Sequence, residues 1–409
     1  MLLNYIWIGF FLLAVLAAIV QTFVTGDAGV FSEMASALFD SANTGFEISL
    51  GLAGVLTLWQ GLLRVGENSG LVRRIAKGTA PFFHVLFPSL PKGHPVTGTM
   101  VMNFSANLLG LDNAATPLGL QAMQELQGLN KKKDEASDAM IMFLCINASG
   151  LTLIPITIIM YRMQLGSTSP ADIFMPILLA TGGSTLTSIL AVSYKQKLDL
   201  LKTAFLLPVA IFLLLVTAII WWASTVDQST LSNYSTLVSH LILVGMVALF
   251  VLSGLLAKRN VYEDFIDGAK GGFTTAITII PYIVAILVAV GVFRASGAMD
   301  WLMQGIAYLV SMVGLDTAWV DALPTMLMKP LSGSGARGLM IDAMTTYGPD
   351  SFVGRLVCLV QGASDTTFYI LALYYGSVAI KRTRYTLGVS LMSDVVGMIL
   401  ALFFCYLFY

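Results

Sequence analysis

The chain has 409 residues, of which 57% are hydrophobic and 11% are charged, and its formal net charge is −1. A soluble domain is usually about 45–50% apolar and about 25% charged, so this chain has too few charges to cover a soluble surface. The composition excludes a soluble enzyme and a disordered chain, and the net charge gives no attraction for nucleic acid. We expect an all-α integral membrane protein whose surroundings are the lipid bilayer.

Apolar segments long enough to cross a bilayer recur along the whole chain. The first has no charged region before it and is too long for a cleaved signal, so we expect it to remain as a span. Short amphipathic helices are predicted at 28–43 and 261–272. The sequence predicts about nine transmembrane helices, at 2–24, 46–64, 138–161, 172–193, 203–223, 237–257, 273–292, 351–377 and 386–408.

Two further apolar segments, 97–127 and 322–347, are interrupted by polar and glycine-rich sequence. Neither half of either segment is long enough to cross a bilayer, so we predict two re-entrant helical hairpins. Irregular backbone at membrane depth is tolerated only where it is buried in protein or lines a cavity. The hairpin tips are therefore predicted to meet near the middle of the bilayer, around a solute site.

The basic residues predict an orientation. Seventeen of the 22 Lys and Arg residues follow the even-numbered spans, and basic loops stay in the cytoplasm. The N-terminus is then cytoplasmic and the C-terminus lies outside.

The two halves of the chain, 1–200 and 201–409, show an internal similarity. At an offset of 227 residues, 7 of the 31 positions in 40–70 are identical to those in 267–297, where chance gives about two. The charge pattern places Asp40 outside and Asp267 inside, so we predict two inverted-topology repeats. Such repeats with discontinuous helices near the membrane centre are typical of secondary transporters.

The first hairpin carries polar side chains around its kink. Asn103 and Asn107 are four residues apart and share one helix face. Either Thr116 or Asn113 is predicted to cap the second half-helix. A helix N-terminus inside the membrane favours an anionic or carbonyl-bearing group. We expect these side chains to line a solute site; the alternative is that they only fasten the hairpin.

The second hairpin contains a Ser-Gly-Ser-Gly run, in which Ser332 and Ser334 are candidate solute ligands. Its glycines allow the backbone to come close to a ligand or to another helix. Lys329 and Arg337 are its basic residues, and a cation buried at membrane depth is usually paired or functional. The alternatives are an ion pair with Asp342 or Asp365, or snorkelling to the interface.

Two predicted spans carry matching polar runs, which align when Ser149 is placed on Ser364. Asp365 is the strongest candidate for binding a coupling proton or sodium ion, and Asp112 is the second. We expect Asp394 to be solvated at the interface or to cap a helix. The candidate solute ligands are Asn147 and Ser149 in the first span, and Gln361, Ser364 and Thr367 in the second; Gln361, Ser364 and Asp365 are predicted to share one helical face.

The remaining chemistry-bearing residues form no recognisable motif. The three Cys lie inside apolar runs without a CxxC motif, and the three His lack metal-ligand spacing. No nucleophile–base pair, metal motif or cofactor motif stands out. We therefore expect that the protein is not an enzyme, and we predict no metal site and no cofactor.

The quoted motifs carry a family resemblance. The first half resembles spore maturation protein A, in NYIWIG at 4–9, MNFSANLLGLDNAATPLGLQAMQEL at 102–126 and INASGLTLIP at 146–155. The second half resembles spore maturation protein B, in NVYEDFIDGAKGGF at 260–273, MKPLSGSGARG at 328–338 and YGPDSFVGR at 347–355. The chain looks like a fused version of the two. The resemblance implies a bacterial inner-membrane protein of the nucleoside-recognition, or Gate, superfamily, which is similar to parts of nucleoside transporters and of a ferrous-iron transporter.

Three functions stay open from the sequence. The first is a secondary transporter of a small polar solute, such as a nucleoside, an amino acid or a peptide. The second is a non-transporting membrane assembly or maturation factor of the sporulation type. The third is a metal-ion conduit, although no cluster of Cys, His and carboxylates lines the hairpins. The amphipathic segments and small-residue faces also suggest a homo-oligomer.

Overall fold

The structure, a computed structural model, describes residues 2–26, 28–91, 94–109, 112–152, 155–223 and 225–409. These residues are mostly helical and contain no β-strand beyond one isolated bridge between Glu135 and Arg382. The helices are α1 (Leu2–Thr25), α2 (Gly29–Asn68), α3 (Leu71–Leu86), α4 (Pro95–Leu108), α5 (Asp112–Leu129), α6 (Asp138–Ser149), α7 (Ile156–Gln164), α8 (Phe174–Gln196), α9 (Thr203–Ala223), α10 (Gln228–Leu256), α11 (Val261–Ala295), α12 (Ala298–Met312), α13 (Leu323–Met328), α14 (Gly333–Tyr347), α15 (Phe352–Ala363), α16 (Thr367–Ser377) and α17 (Thr386–Phe408).

Eight helical segments in the described part of the chain are long and apolar enough to cross a membrane. They are Asn4–Val24, Gly29–Asn68, Phe174–Gln196, Thr203–Ala223, Asn233–Leu256, Val261–Ala295, Phe352–Ser377 and Thr386–Phe408. In α9, large apolar side chains such as Leu214 and Trp221 are about two-thirds exposed. A helix that is apolar on all faces yet little buried in protein is a helix that contacts lipid. The prediction of an all-α membrane protein is confirmed.

Two predicted spans are not continuous helices. In the 138–161 segment, α6 ends at Ser149 and α7 begins at Ile156; in the 351–377 segment, α15 ends at Ala363 and α16 begins at Thr367. Composition could not show these breaks, because a broken helix and a continuous one need the same apolar length to cross a bilayer.

The opposite error was made for α2 and α11. The short amphipathic helices predicted at 28–43 and 261–272 continue without a break into the spans that follow them. Gly45 does not end a helix; a Cβ there would lie 3.1 Å from the Cα of Val284, so its small size lets α2 approach α11 closely.

The same order of helices occurs twice along the chain, as α1–α8 and as α10–α17, with α9 between them. At the 227-residue offset, α2 and α11 end at equivalent residues, Asn68 and Ala295. Gly70 and Gly297 follow with φ values of 74° and 75° and precede α3 and α12. The inverted orientation of the two halves stays a prediction.

The chain forms two compact units, each of which draws on both halves of the sequence. The first unit comprises residues 1–60, 157–170 and 269–361, and the second comprises 61–156, 171–268 and 362–409. Each unit contains one hairpin, α13–α14 in the first and α4–α5 in the second. Each also contains one part of each broken helix: α7 with most of α15 in the first unit, and α6 with α16 in the second.

Each unit has its own buried apolar core. In the first, Ala14, Ile286, Val290 and Leu339 bring together α1, α11 and α14. In the second, the core is built on α3–α6, α8, α16 and α17, and includes Met100, Met123, Met140, Phe143, Val192 and Tyr374.

Candidate functional site

The polar runs noted in the sequence lie where the two long helices break. Helix α6 ends at Ser149, and Gly150 follows with a φ of 62°. Helix α15 ends at Ala363, one residue before Ser364, the residue that aligns with Ser149. The two breaks therefore occur at nearly equivalent positions of the two halves.

Within the second unit the two breaks are in direct contact. The Asp365 N–H donates a hydrogen bond to the Ala148 carbonyl over 2.9 Å. A Cβ on Gly150 would lie 2.8 Å from the Asp365 nitrogen, closer than real Cβ atoms approach a backbone atom. Gly150 is thus required both by its positive φ and by this backbone contact.

The broken end of α6 is closed by hydrogen bonds. A helix leaves its last four carbonyls without intrahelical partners. In α6, all four accept a hydrogen bond, and Thr181 of α8 also donates to the Gly150 carbonyl over 3.2 Å. The carbonyls of Ile146, Asn147, Ala148 and Ser149 accept from the Ser149 hydroxyl, the Gly150 N–H, the Asp365 N–H and the Thr181 hydroxyl, respectively.

The second break presents a carboxylate. The Asp365 side chain is exposed, and its Oδ1 accepts the Thr366 N–H over 2.6 Å. Helix α16 begins directly after, and its N-cap residue Thr366 makes no side-chain capping bond. A carboxylate at this position is favoured by the positive end of the helix dipole. The predicted common face of Gln361, Ser364 and Asp365 is wrong, because α15 ends before the last two.

The hairpin amides fasten α4 to its neighbours. Asn103 is fully buried and donates to the Ala115 carbonyl of α5 over 2.7 Å. Asn107 donates to the side-chain oxygen of Asn147 on α6 over 2.8 Å, and Asn147 donates to the Phe143 carbonyl. The Oδ1 of Asn103 is buried without a hydrogen-bond partner among the described residues. The fastening role is thus observed, and solute contact stays a prediction.

The predicted cap of the second half-helix is wrong. Helix α5 begins at Asp112, so Asn113 and Thr116 lie inside it. Pro117 lies inside α5, past the first turn, where it cannot donate the hydrogen bond that a helical N–H makes to the carbonyl four residues earlier. The side chains of Asp112 and Asn113 lie outside the described part of the structure, as does Gly110.

Asp394 is a site residue that the sequence analysis misjudged. It lies on α17 and is only 1% exposed, and one carboxylate oxygen accepts the hydroxyl of Thr367, the first residue of α16, over 2.7 Å. The expectation of a solvated or capping role is wrong. The signal was available, since Thr386, Ser390 and Ser393 precede it at helical spacing and are also buried.

The second hairpin lies in the first unit. Ser332 is the N-cap of α14 and accepts the Gly335 N–H over 3.1 Å. Ser334 is exposed, and its hydroxyl lies 3.3 Å from that of Ser332. Lys329 is buried and Arg337 is half-buried. Lys329 therefore lies inside the protein, whereas Arg337 stays partly exposed.

Other polar groups of the first unit have specific neighbours. Asp342, considered above as a partner for the hairpin cations, pairs with Arg294 of α11 over 2.5 Å. Arg294 also lies over the ring of Tyr347 at 5.6 Å. Gln361 is half-buried, and its side-chain oxygen has no hydrogen-bond partner among the residues that the structure describes.

An ion pair that no sequence motif indicates joins the end of α7 to the residues just before α15, away from the two breaks. Arg162 is fully buried and donates to the Asp350 carboxylate over 2.9 Å and to the Pro349 carbonyl over 2.8 Å. Ser167 and Thr168 also donate to this carboxylate. Burial alone would raise the pKa of Asp350, but these donors and the Arg162 charge hold the pKa below its usual value.

A second network joins the start of α6 to the residues that follow α16, away from the two breaks. Arg384 pairs with Asp138 over 2.7 Å, and Arg382 pairs with Asp134 over 2.9 Å. The Lys381 and Arg382 N–H groups both donate to the Asp134 carbonyl. These side chains are one-third to two-thirds exposed, so solvent screens their charges.

Among the described residues, no three His, Cys, Asp or Glu side chains form a group that could hold a metal ion.

Comparisons with known proteins agree with this architecture. A family model described as Gate, nucleoside recognition, matches residues 49–168 and 276–381. The chain is 41% identical over 154 residues to spore maturation protein B of Bacillus subtilis (strain 168), covering 38% of this chain and 85% of that protein. It is 39% identical over 180 residues to spore maturation protein A of the same organism, covering 44% and 88%.

A more distant relative is the inner membrane protein YjiG of Escherichia coli (strain K12), 30% identical over 89 residues, or 22% of this chain and 56% of that protein. The helices and the adjoining breaks define a multi-pass, all-α membrane protein with paired discontinuous helices. Since the matched family model spans more than half of the chain, the protein belongs to the nucleoside-recognition (Gate) family.

Proposed function

We propose that this protein is a secondary transporter of a small polar solute, and not an enzyme, in the bacterial inner membrane with its N-terminus in the cytoplasm. The observation that carries the proposal is the contact of two helix breaks at Ala148 and Asp365, with the Asp365 carboxylate exposed at the junction. The charge distribution of the loops supports the orientation.

The physical argument rests on the cost of breaking a helix in lipid. Each backbone group left without a partner in hydrocarbon costs several kcal/mol, so broken helices persist only where protein or a polar cavity satisfies them. A maturation scaffold gains nothing from two such breaks. A transporter needs them, because they place backbone dipoles and a carboxylate at one point within the membrane.

The two breaks have different roles in this proposal. The closed end of α6 holds the junction, since its carbonyls are all engaged. The open side carries Asp365, which binds the coupling proton or sodium ion. Asn103, Asn107 and Asn147 contact the solute from the first hairpin side of the junction. That Ser332 and Ser334 contribute from the second hairpin stays a prediction.

The alternative is a membrane maturation factor that transports nothing. Both Bacillus relatives are named as spore maturation proteins. The closure of the α6 end and the mutual hydrogen bond of Asn107 and Asn147 also suit a fixed structural junction. The two functions differ in whether a solute binds and moves.

The test is solute binding and uptake by the purified protein in proteoliposomes. Nucleosides, amino acids and dipeptides are screened by thermal stabilisation, and hits are followed as radiolabelled uptake under an imposed proton or sodium gradient. We expect one class to stabilise the protein and to be taken up in a gradient-dependent way. Absence of binding and uptake across all classes would favour the maturation factor.

Asp365→Asn keeps the shape of the side chain and removes its charge. We expect gradient-driven uptake to be lost while solute binding and the melting temperature stay near wild type. Glu263→Gln, which neutralises an exposed carboxylate in the first turn of α11, is the matched control and should leave uptake unchanged. Normal coupled uptake by Asp365→Asn would show that the coupling group lies elsewhere.

A further inference from the structure

Helix α3 has one buried apolar face and one exposed basic face. Leu71, Val72, Phe83 and Leu86 are buried. Aromatic contacts hold this apolar face in place within the second unit: Phe82 stacks on Phe205 of α9, and Phe83 packs edge-on against Phe104 of α4.

The contacts of α3 place it beside the end of one membrane-spanning helix, α2, and the start of another, α9. Phe205 is the third residue of α9, and α2 ends at Asn68, just before the Gly70 turn that leads into α3. Both α2 and α9 are helices that can cross a membrane. A helix attached beside the ends of two spans lies in the interfacial layer, where lipid headgroups are its neighbours.

The exposed face of α3 carries Arg73, Arg74 and Lys77. At 3.6 residues per turn these positions fall within a sector of about 100°. None of the three side chains forms an ion pair or a side-chain hydrogen bond with the described residues. Three neighbouring cations without a protein counter-ion leave a positive surface that an anion from outside the chain can neutralise.

Some of the other basic residues are engaged within the chain. In the loop before α6, Lys132 pairs with Glu135 over 3.2 Å, and Lys133 donates to the Gln127 carbonyl over 2.6 Å. On α12, the counterpart of α3 at the 227-residue offset, the matching positions are Asp300, Trp301 and Gln304. The basic face therefore belongs to α3 and not to interfacial helices of this fold in general.

We infer that the α3 basic face, Arg73–Arg74–Lys77, binds the phosphate-bearing headgroup of an anionic phospholipid from the surrounding leaflet. A guanidinium group matches phosphate oxygens in two-point hydrogen bonds, and two adjacent arginines with a lysine one turn away can hold one headgroup. Lipid is the occupant because the apolar face of the same helix is fixed beside span ends, where lipid headgroups are the most concentrated anions.

The experiment measures which lipids lie next to α3, by fluorescence quenching. Gly78 is exposed with open space around it, so Gly78→Cys can carry a fluorophore, and the native cysteines Cys145, Cys358 and Cys405 are buried. The labelled protein is placed in phosphatidylcholine nanodiscs with a minor fraction of brominated phosphatidylglycerol or brominated phosphatidylcholine. Bromine quenches the fluorophore only when that lipid is close.

We expect brominated phosphatidylglycerol to quench the probe at 78 more strongly than brominated phosphatidylcholine. Each basic residue near an anionic headgroup contributes a factor of about five in relative association. The combined change Arg73→Gln, Arg74→Gln and Lys77→Gln should remove the preference. The charge-matched change of Lys131, Lys132 and Lys133 to Gln should leave it within about twofold.

Gly305→Cys on α12 supplies a control position at the same offset, also with open space around it, and should show no preference. Equal quenching by the two lipids at position 78, or a preference that survives the triple α3 change, would overturn the inference. Inorganic phosphate should weaken the preference more than chloride of equal ionic strength does, because free phosphate competes with the headgroup for the guanidinium groups.

Discussion

Parts of the two broken helices are joined in each unit, α7 with α15 in the first and α6 with α16 in the second, and the two pairs are fastened in different ways. In the first unit, the end of α7 is joined to the residues before α15 by the fully buried Arg162 and by Asp350. In the second unit, exposed ion pairs join the start of α6 to the residues after α16. At the breaks, the Asp365 N–H donates a hydrogen bond to the Ala148 carbonyl, which joins the end of α6 to the residues before α16. A buried ion pair and an exposed one differ in energy far more than their similar distances suggest.

The two pairs are therefore stabilised at different places. The α7–α15 pair depends on one charge cluster at its outer end, whereas the α6–α16 pair depends on close backbone contact at the break. The candidate coupling residue Asp365 lies on the second pair. The following substitutions test this difference between the two pairs, beginning with the one expected to lower the free energy of unfolding most.

Arg162→Met should lower the free energy of unfolding by about 3 kcal/mol, because it removes a fully buried guanidinium group from a partly exposed carboxylate and from two backbone carbonyls. Thermal unfolding of the solubilised protein measures the loss. The matched Arg382→Met change on the exposed network should cost less than about 1 kcal/mol. Similar losses for the two variants would contradict the contrast between buried and exposed fastening.

Gly150→Ala should cost about 2 kcal/mol or more, since a non-glycine residue at positive φ is strained and the new Cβ would press on the Asp365 backbone. Gly98→Ala is the control within α4, where a Cβ meets open space and should be neutral or stabilising. The melting temperatures of the two variants measure the difference in stability. A Gly150→Ala protein as stable as wild type would mean that the two breaks do not need close contact.

Low pH should weaken the α7–α15 pair. The pKa of Asp350 is lowered in the folded protein, so its stabilisation is complete above the pKa of the unfolded chain, about 4. It is lost as the pH falls through the lower, folded pKa. The melting temperatures of wild type and Asp350→Asn should differ by a constant amount from pH 7 to about pH 5 and converge below about pH 4. A difference that stays constant to the lowest pH would show that the Asp350 charge does not contribute.

Thr181→Val should have the smallest effect, about 1 kcal/mol, because it removes one hydroxyl that bonds the Ser149 and Gly150 carbonyls. Thr187→Val on the same helix, whose hydroxyl bonds only the carbonyl one turn earlier, is the control. Equal melting temperatures for the two variants would show that Thr181 does not close the α6 end.

Sequence reasoning found the polar runs but not the breaks. The alignment of Ser149 with Ser364 marks the two regions where the helices break, yet both segments are predicted from the sequence as continuous spans. The helical face assigned to Gln361, Ser364 and Asp365 failed for the same reason. A break forms only when distant groups replace the lost hydrogen bonds, and those groups, Thr181 among them, lie in other helices.

The buried charges show the same limit. Asp394 stood alone in the sequence and was expected at the interface, but the Thr367 hydroxyl meets it inside the second unit. Arg162 belongs to no sequence motif, and nothing local indicates that Asp350, 188 residues away, neutralises it. Pairing across such separations is decided by packing, not by spacing along the chain.

The sequence by itself determined the all-α membrane class, the positions of the apolar segments that can cross a membrane and the polar residues within them. These follow from apolar length, charge placement and local polarity, which act over one or two helical turns. Only the tertiary structure decided where helices break, which amides fasten the first hairpin and which carboxylates are buried. Each of these depends on hydrogen bonds between segments far apart in the chain, because a backbone or charged group in a low-dielectric interior is tolerated only when a partner reaches it.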